Sequence, residues 1–323
     1  MTRAIRIARF GGPEVLEFDT VDVGEPGPQE VRLRQTAVGL NFIDVYERTG
    51  LYSNPLPCGL GREAAGIVEA VGSRVRDVRV GDRVAYVLAK SGAYAEARLV
   101  PADRLVKIPN GVSDEVAAAV MLKGLTAQFL LRRTYRVRKG DFVLIHAAAG
   151  GVGSIAVQWA RHLGARVIGV VGSEPKAELA RSRGAEHVVL ADEDLVERVR
   201  AITRGQGVAV VYDSVGKDTF TASLDCLRPL GMMVTYGNAS GPVPPIAPLE
   251  LSKRGSLFLT RPTLFHYIAR RADLVKGARE LFDLLERGTI QAHIGQRYPL
   301  ADVAEAHRDL EARRTTGSTV LLP

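Results

Sequence analysis

The run Phe142-Val143-Leu144-Ile145-His146-Ala147-Ala148-Ala149-Gly150-Gly151-Val152-Gly153 constrains the fold of this chain more than any other stretch. A short apolar strand runs into a glycine turn, and the segment after it, Ser154 to Leu163, has helical apolar spacing. A strand that feeds a helix through bare backbone gathers several N–H groups and the positive helix end at one point. That arrangement binds dinucleotide pyrophosphate. The literal spacing is A-x-x-G-x-x-G, with Ala147, Gly150 and Gly153 in the three slots. An ordinary strand-to-helix turn gives no reason to leave the backbone bare at both Gly150 and Gly151. Ala149, Gly150, Gly151 and Val152 are therefore expected to line the phosphates.

Strands and helices alternate around this turn. Strand candidates are Phe142–His146, Arg166–Val171, His187–Leu190, Val208–Ser214, Met232–Tyr236 and Ser256–Leu259. Between them fall helical segments at Ser154–Leu163, Lys176–Arg183, Leu195–Thr203 and Phe220–Leu227. The pattern predicts an α/β fold, a doubly wound parallel sheet of about six strands. The first hundred or so residues read differently. Short alternating segments (Ala4–Phe10, Glu30–Ala37, Gly66–Val71, Arg83–Tyr86, Ala95–Val100) are punctuated by Gly11-Gly12-Pro13, Pro26-Gly27-Pro28 and Gly81-Asp82, which predicts a β-rich domain. Asp114–Leu122 and Thr126–Arg133 carry helical spacing, as do Tyr267–Arg287 and Leu300–Ala312, while Gln296–Pro299 and Ser318–Leu322 are β-like. The C-terminal pieces are expected to return to the first domain. The expected division is 1–122 completed by 263–323, with 123–262 as the nucleotide-binding insert.

A chain of 323 residues accommodates two domains, and 46% hydrophobic with 24% charged residues is globular composition. No stretch approaches the roughly 18 unbroken apolar residues of a membrane span, and no signal-peptide run opens the chain, so a cytoplasmic location is expected. Two cysteines, Cys58 and Cys226, can form neither a disulfide framework nor by themselves a structural zinc site. The net charge of +7 suits anionic ligands. Only 8 of the 43 basic residues are lysine, and there is no run of five basic residues, which keeps nucleic-acid binding a minor reading.

The second strand of a dinucleotide fold ordinarily ends on an acid that takes the adenosine ribose hydroxyls and marks NAD. Here Val171 stands 21 residues past Gly150, at about that distance, and small residues follow: Gly172 and Ser173, then Glu174-Pro175-Lys176. An uncharged pocket with Ser173 and Lys176 nearby accepts a 2′-phosphate that an acid would repel, so NADPH is expected. A Glu174 turned inward would weaken that preference.

Several separate segments carry a family resemblance: Gly11–Leu16, Asn41-Phe42-Ile43-Asp44-Val45-Tyr46, Gly61–Val68, Leu122–Ala127, His146–Gly153, Val211–Gly216 and Leu259–Pro262. Together they resemble the zinc-independent quinone oxidoreductases, the ζ-crystallin-like group of the medium-chain dehydrogenase/reductase superfamily. The resemblance implies a GroES-like catalytic domain built from both chain ends, a Rossmann domain between them, an active site in the cleft and a homodimer through the Rossmann domains. Zinc-dependent relatives place a histidine ligand after Gly61, where this chain has Arg62, and carry a four-cysteine lobe absent here. No metal is therefore expected. Many relatives have a tyrosine beside the adenosine where this chain has Ala191, which bears on how tightly that end is held.

The matched motifs place Asn41, Phe42, Asp44, Tyr46 and Tyr52 around the nicotinamide and the substrate opening. Asn41 and the two phenols would donate hydrogen bonds to a quinone oxygen as charge develops on it. The plain alternatives are helix capping for Asn41 and Asp44, and an aromatic lid for Tyr52. Thr126 and Gln128 match positions beside the cofactor, against ordinary helix polarity. Gly216 closes a matched segment. Arg261 and Arg313 match cofactor-lining positions, Arg313 toward the 2′-phosphate, against solvated arginines. Asn238 follows the fifth strand of the sheet, where ligands gather, against a plain turn. His146 reads as a buried core residue. The function expected is an NADPH-dependent quinone reductase that passes hydride or single electrons to a small-molecule acceptor. The rivals are an alkenal or enone double-bond reductase and, from another class, an NADPH- or RNA-binding protein with vestigial catalysis.

Overall fold

Period-two hydrophobicity in the N-terminal third produces short strands: β1 (Thr2–Ile7), β2 (Glu17–Val21) and β3 (Glu30–Leu40). After helix α1 (Phe42–Arg48) come β4 (Cys58–Gly59), β5 (Glu63–Val71), β6 (Arg83–Val87), β7 (Ala97–Pro101) and β8 (Leu105–Lys107), then helix α2 (Asp114–Phe129). Strand β3 is the spine of this region. It pairs antiparallel with β5 on one side and, on the other, with β7 along Glu30–Arg34. Its inward residues Val31, Leu33 and Val38 are inaccessible to solvent, as befits a strand packed on a core. Strands β1, β2 and β4 form a separate small antiparallel sheet.

The middle of the chain alternates strand and helix: β9 (Phe142–His146), α3 (Gly151–His162), β10 (Arg166–Val171), α4 (Glu174–Ser182), β11 (His187–Leu190), α5 (Leu195–Thr203), β12 (Val208–Asp213), α6 (Phe220–Asp225) and β13 (Leu227–Thr235). Helix α7 (Leu249–Lys253), strand β14 (Phe258–Thr260) and helix α8 (Leu264–Tyr267) follow. All pairings in the six-stranded sheet are parallel, in the order β11-β10-β9-β12-β13-β14. That is the doubly wound dinucleotide-binding order, with its topological switch between β9 and β12. Strand β12 is buried at all six positions, the pattern of a central strand covered on both faces. On α3, Ile155, Val157 and Trp159 are buried, each of the aliphatic pair contributing about 1.5–3 kcal/mol of hydrophobic stabilisation.

The chain then closes with α9 (Arg271–Glu286), β15 (Ile294–Pro299), α10 (Val303–Glu311) and β16 (Ser318–Leu322). Strand β16 lies between β15 and β3, so both ends of the chain build one seven-stranded sheet. The computed structural model describes residues 1–323 and resolves into two compact units. The first is Met1–Leu125 with Ile268–Glu286 and Ala292–Pro323, and the second is Thr126–Tyr267 with Arg287–Gln291. Their cores are separate, one around Val31, Leu33, Tyr86 and Leu105, the other around Leu144, Ile168, Val211 and Met233.

Three local expectations change. The two helical stretches 114–122 and 126–133 are one helix, α2, up to Phe129. Gly124 does not break it; a Cβ there would lie 2.6 Å from Leu281 of α9, so the glycine admits a close helix contact. The strand expected from Ser256 begins at Phe258, because Ser256 takes a left-handed φ of 57°. The single helix expected over 267–287 is split between α8 and α9, at the passage from the second unit to the first.

Candidate active site

In the second unit the glycine turn closes β9 onto α3 with the Gly150 N–H donating to the Ala147 carbonyl at 2.8 Å. Ala147 takes φ 50°, the left-handed conformation that the first slot of the fingerprint ordinarily gives to glycine. A Cβ on Gly153 would sit 2.1 Å from the Ala147 oxygen, so only glycine lets helix and turn pack this closely. Ala149 is buried, and Gly150, Gly151 and Val152 are half-buried. The other residues picked from the sequence fall at the carboxyl ends of neighbouring parallel strands: Gly172 and Ser173 after β10, Gly216 after β12, Asn238 after β13 and Arg261 after β14. The sheet therefore brings them to one edge, the edge where ligands of such folds bind.

No carboxylate stands at the end of β10. A Cβ at Gly172 would have nothing within 4 Å, and the Ser173 side chain makes no capping bond to α4. Glu174 does not turn inward; it pairs with Arg181 of its own helix at 2.5 Å. Lys176 is half-buried in the first turn of α4.

The loop after β12 is built from below. Asp213, fully buried, accepts from the N–H groups of Val215 (2.7 Å) and Gly216 (3.1 Å) and from the Thr219 hydroxyl (2.8 Å). The loop is tied across to the one after β13 by the Ser240 N–H on the Val215 carbonyl, 2.8 Å, and the Lys217 N–H on Gly241, 3.2 Å. Gly216 and Asn238 are thus neighbours. His146 lies beneath, 1% exposed and 2.8 Å from the Ser223 hydroxyl. Burial depresses its pKa and keeps the imidazole neutral. Arg261 donates to the Thr235 carbonyl at 3.3 Å. Thr126 and Gln128 are buried on α2.

The first unit places Asn41, Phe42, Asp44, Tyr46 and Tyr52 together at and just after α1. The Tyr46 ring stands 6.1 Å from Phe42 and 5.2 Å, edge-on, from Tyr52, and the Tyr52 N–H donates to the Tyr46 carbonyl at 3.0 Å. Asn41 begins the helix. Its backbone N–H donates to Asp44 Oδ2 at 2.9 Å, half of a capping box. Its side-chain amide donates to Glu63 Oε1 at 2.8 Å. Glu63, inaccessible to solvent, also accepts from Lys123 Nζ at 3.0 Å and the Leu122 N–H at 2.5 Å, so one buried carboxylate joins β5, α1 and α2. Arg313 lies in this unit, exposed, in a left-handed turn after α10.

At the position of the zinc-dependent histidine, Arg62 donates from Nε to Glu47 at 2.6 Å and from Nη1 to the Ala89 carbonyl at 3.2 Å. The Ser91 hydroxyl completes Glu47 at 2.9 Å. No group of three or more His, Cys, Asp or Glu side chains is arranged to hold a metal ion. Burial pushes the Cys226 thiol up to about 12, far from a reactive thiolate.

Four residues here escaped the sequence reading: Glu63, Arg48, Tyr94 and His307. Asp44 Oδ2 accepts from Tyr94 Oη at 2.8 Å, Tyr94 Oη meets His307 Nε2 at 3.1 Å, and His307 Nδ1 accepts from Arg48 Nη1 at 2.8 Å. These positions are too far apart in sequence to form a motif. Glu63 alone sits inside a matched segment, Gly61–Val68.

Residues 27–110 match the alcohol dehydrogenase GroES-like domain family and residues 151–285 the zinc-binding dehydrogenase family. The chain is 55% identical over 325 residues to a quinone oxidoreductase of Pseudomonas aeruginosa, covering 100% of both. It is 50% identical to a 2-haloacrylate reductase of a Burkholderia species, covering 100% of this chain and 99% of that one. Among solved structures, Escherichia coli quinone oxidoreductase complexed with NADPH superposes with a TM-score of 0.98 at 47% identity, covering 99% and 100% of the two chains.

Proposed function

The chain belongs to the quinone oxidoreductases of the medium-chain dehydrogenase/reductase superfamily, and from that premise we propose that it is an NADPH-dependent, zinc-independent quinone reductase. The observation that carries this reading is the sheet edge of the second unit. It has a glycine turn that a Cβ would fill, an open uncharged step at Gly172, a Ser173 hydroxyl not used for capping, and Glu174 tied away to Arg181. These residues fit NADPH. Ala149–Val152 would hold the pyrophosphate. Ser173 and Lys176 would take the 2′-phosphate. Gly216, Asn238, Arg261, Thr126 and Gln128 would line the remainder.

When bound, NADPH supplies the reducing equivalents. The chain's own residues position and polarise. Tyr52 and Tyr46 donate hydrogen bonds to the acceptor oxygen, whose negative charge grows as it is reduced. Phe42 packs beside Tyr46. Asn41 and Asp44 fix the start of α1, and Arg62, at the sequence position of a histidine ligand in zinc-dependent relatives, is tied to Glu47. We assign acceptor handling to 1–122 with 263–323, and the dinucleotide to 123–262. We propose that a second copy of the chain docks at the edge strand β14, whose Phe258 is 56% exposed, and that the protein is cytoplasmic, which suits two free cysteines.

A second reading has its own support. The half-identical 2-haloacrylate reductase makes an activated carbon–carbon double bond the alternative acceptor. The test is consumption of reduced nicotinamide with benzoquinone, phenanthrenequinone and 2-chloroacrylate, repeated with NADH and after chelation. Chelator-resistant, NADPH-selective turnover of the quinones is expected. Turnover of the haloacrylate alone moves the assignment to a double-bond reductase. NADPH binding with no turnover of any acceptor ends the quinone assignment.

A further inference from the structure

We propose that Arg48, His307 and Tyr94 are positioning residues for Asp44: a one-way chain of hydrogen-bond donors that clamps one oxygen of a buried carboxyl and so holds the start of the helix carrying Tyr46. The effect on turnover rests on the reductase reading above; the chain itself does not.

The direction of the chain follows from donor chemistry. Guanidinium nitrogens only donate, so His307 Nδ1, 2.8 Å from Arg48 Nη1, must accept. A neutral imidazole that accepts at Nδ1 carries its proton on Nε2, and that proton points to Tyr94 Oη at 3.1 Å. The single Tyr94 hydroxyl proton is then directed to Asp44 Oδ2 at 2.8 Å. Protonating His307 would set a second donor against Arg48. Burial and that guanidinium accordingly hold its pKa down to about 3. Arg48 is anchored at the far end by the Gly11 carbonyl (3.1 Å) and Glu311 (2.8 Å). An arginine does not release its proton, so the chain orients and does not conduct.

All of this polarity converges on Asp44 Oδ2, which also receives the Asn41 N–H, while buried Oδ1 has no partner. The charges facing this carboxyl are Glu47 and Arg48 on its own helix and Glu63 from β5. Lys123 of α2 is paired with Glu63, Arg62 is paired with Glu47, and His307 on α10 is neutral. Burial, Glu47 and Glu63 push Asp44 up to about 8, against the pull of Asn41 and Tyr94. At neutral pH the carboxyl is therefore protonated. Above its midpoint a buried negative charge forms beside two others at the first turn of α1. Because the folded pKa exceeds the unfolded one, the protein binds more protons folded than unfolded between them. Stability therefore falls as pH rises through that window and levels off above about 8.

Tyr94→Phe, His307→Gln and His307→Ala are compared with Asp44→Asn and the parent protein. The measurements are the Asp44 carboxyl titration by infrared difference spectroscopy, the thermal midpoint against pH, and the pH profile of kcat/KM with NADPH and benzoquinone. Tyr94→Phe removes a donor to the ionised form and should move the Asp44 midpoint upward by about one pH unit, the alkaline limb of kcat/KM following. Glutamine at 307 can accept from Arg48 and donate to Tyr94, so His307→Gln should restore what His307→Ala shifts. Asp44→Asn should flatten the pH dependence of the thermal midpoint. A Tyr94→Phe protein that melts lower but keeps the parent Asp44 midpoint overturns the proposal, as do His307→Gln and His307→Ala proteins that titrate alike. If no acceptor is turned over, the infrared titration and melting curves still decide the question, and only the reductase reading falls.

Discussion

The sheet edge of the second unit and the buried cluster of the first fix polar groups in space by opposite means. On the edge, side chains are left out. Gly150 and Gly153 give bare backbone and Gly172 gives space, and Asp213, accepting from the N–H groups of Val215 and Gly216, ties down more backbone. In the first unit, side chains are put in. Glu63, Asp44, Tyr94, His307 and Arg48 are withdrawn from solvent, Glu63 accepting from Asn41 and Lys123 and the other four joined in one hydrogen-bonded row. A site made of backbone admits no added carbon where the turn closes at Gly153, and at the open Gly172 it is sensitive to charge alone. A site made of buried charges tolerates shape changes better than the loss of one partner.

That contrast can be broken most forcefully at Glu63. Glu63→Ala leaves the Lys123 ammonium buried without its counter-charge and should cost about 3–5 kcal/mol in denaturant unfolding. A loss below 1 kcal/mol would mean that the carboxylate cluster is not a structural keystone. Next in size is Gly172→Asp, which adds an acid in open space. The kcat/KM for NADPH should fall roughly tenfold to a hundredfold, with NADH affected far less. Equal losses with both cofactors would remove Gly172 and Ser173 from the 2′-phosphate site. Gly153→Ala sharpens the other side of the contrast. Its methyl meets the Ala147 oxygen, so stability should drop by about 1–3 kcal/mol and NADPH affinity with it, whatever the ionic strength. The smallest effect expected is that of Tyr52→Phe, a fall in kcat of about tenfold or less with unchanged NADPH affinity. An NADPH affinity that falls instead would place Tyr52 on the cofactor and not on the acceptor.

The same contrast explains what could be read without coordinates. The Rossmann half is local. Strand, turn and helix succeed one another along the chain, so Gly150, Gly153 and the absent acid after Val171 are visible as spacing. The GroES-like half is assembled from distant pieces. His307 meets Tyr94 and Arg48 across more than two hundred residues, and no periodicity encodes that meeting. Asn41 and Asp44 were legible as a helix start and Glu63 lay within a matched segment, yet their joint burial emerges only when β5, α1 and α2 pack. That the stretches 114–122 and 126–133 join into one helix was not legible either, because the contact with Leu281 that suits a glycine at 124 is made with a distant part of the chain.

Strand β16, set between β15 and β3, gives the order of synthesis a consequence. Leu40 and its neighbours on β3 emerge early, but the residues that pair with them, Thr319 to Leu321, emerge only after the whole parallel-sheet unit has been made. At roughly 5–20 residues per second the wait is on the order of tens of seconds. For that time the nascent protein carries an open sheet, with a hydrophobic strand edge available to any passing chain. The ribosome-bound stage, more than the native state, is where this protein is most exposed to aggregation. Slowing translation near residue 300 should lower its soluble yield even though no native contact has changed.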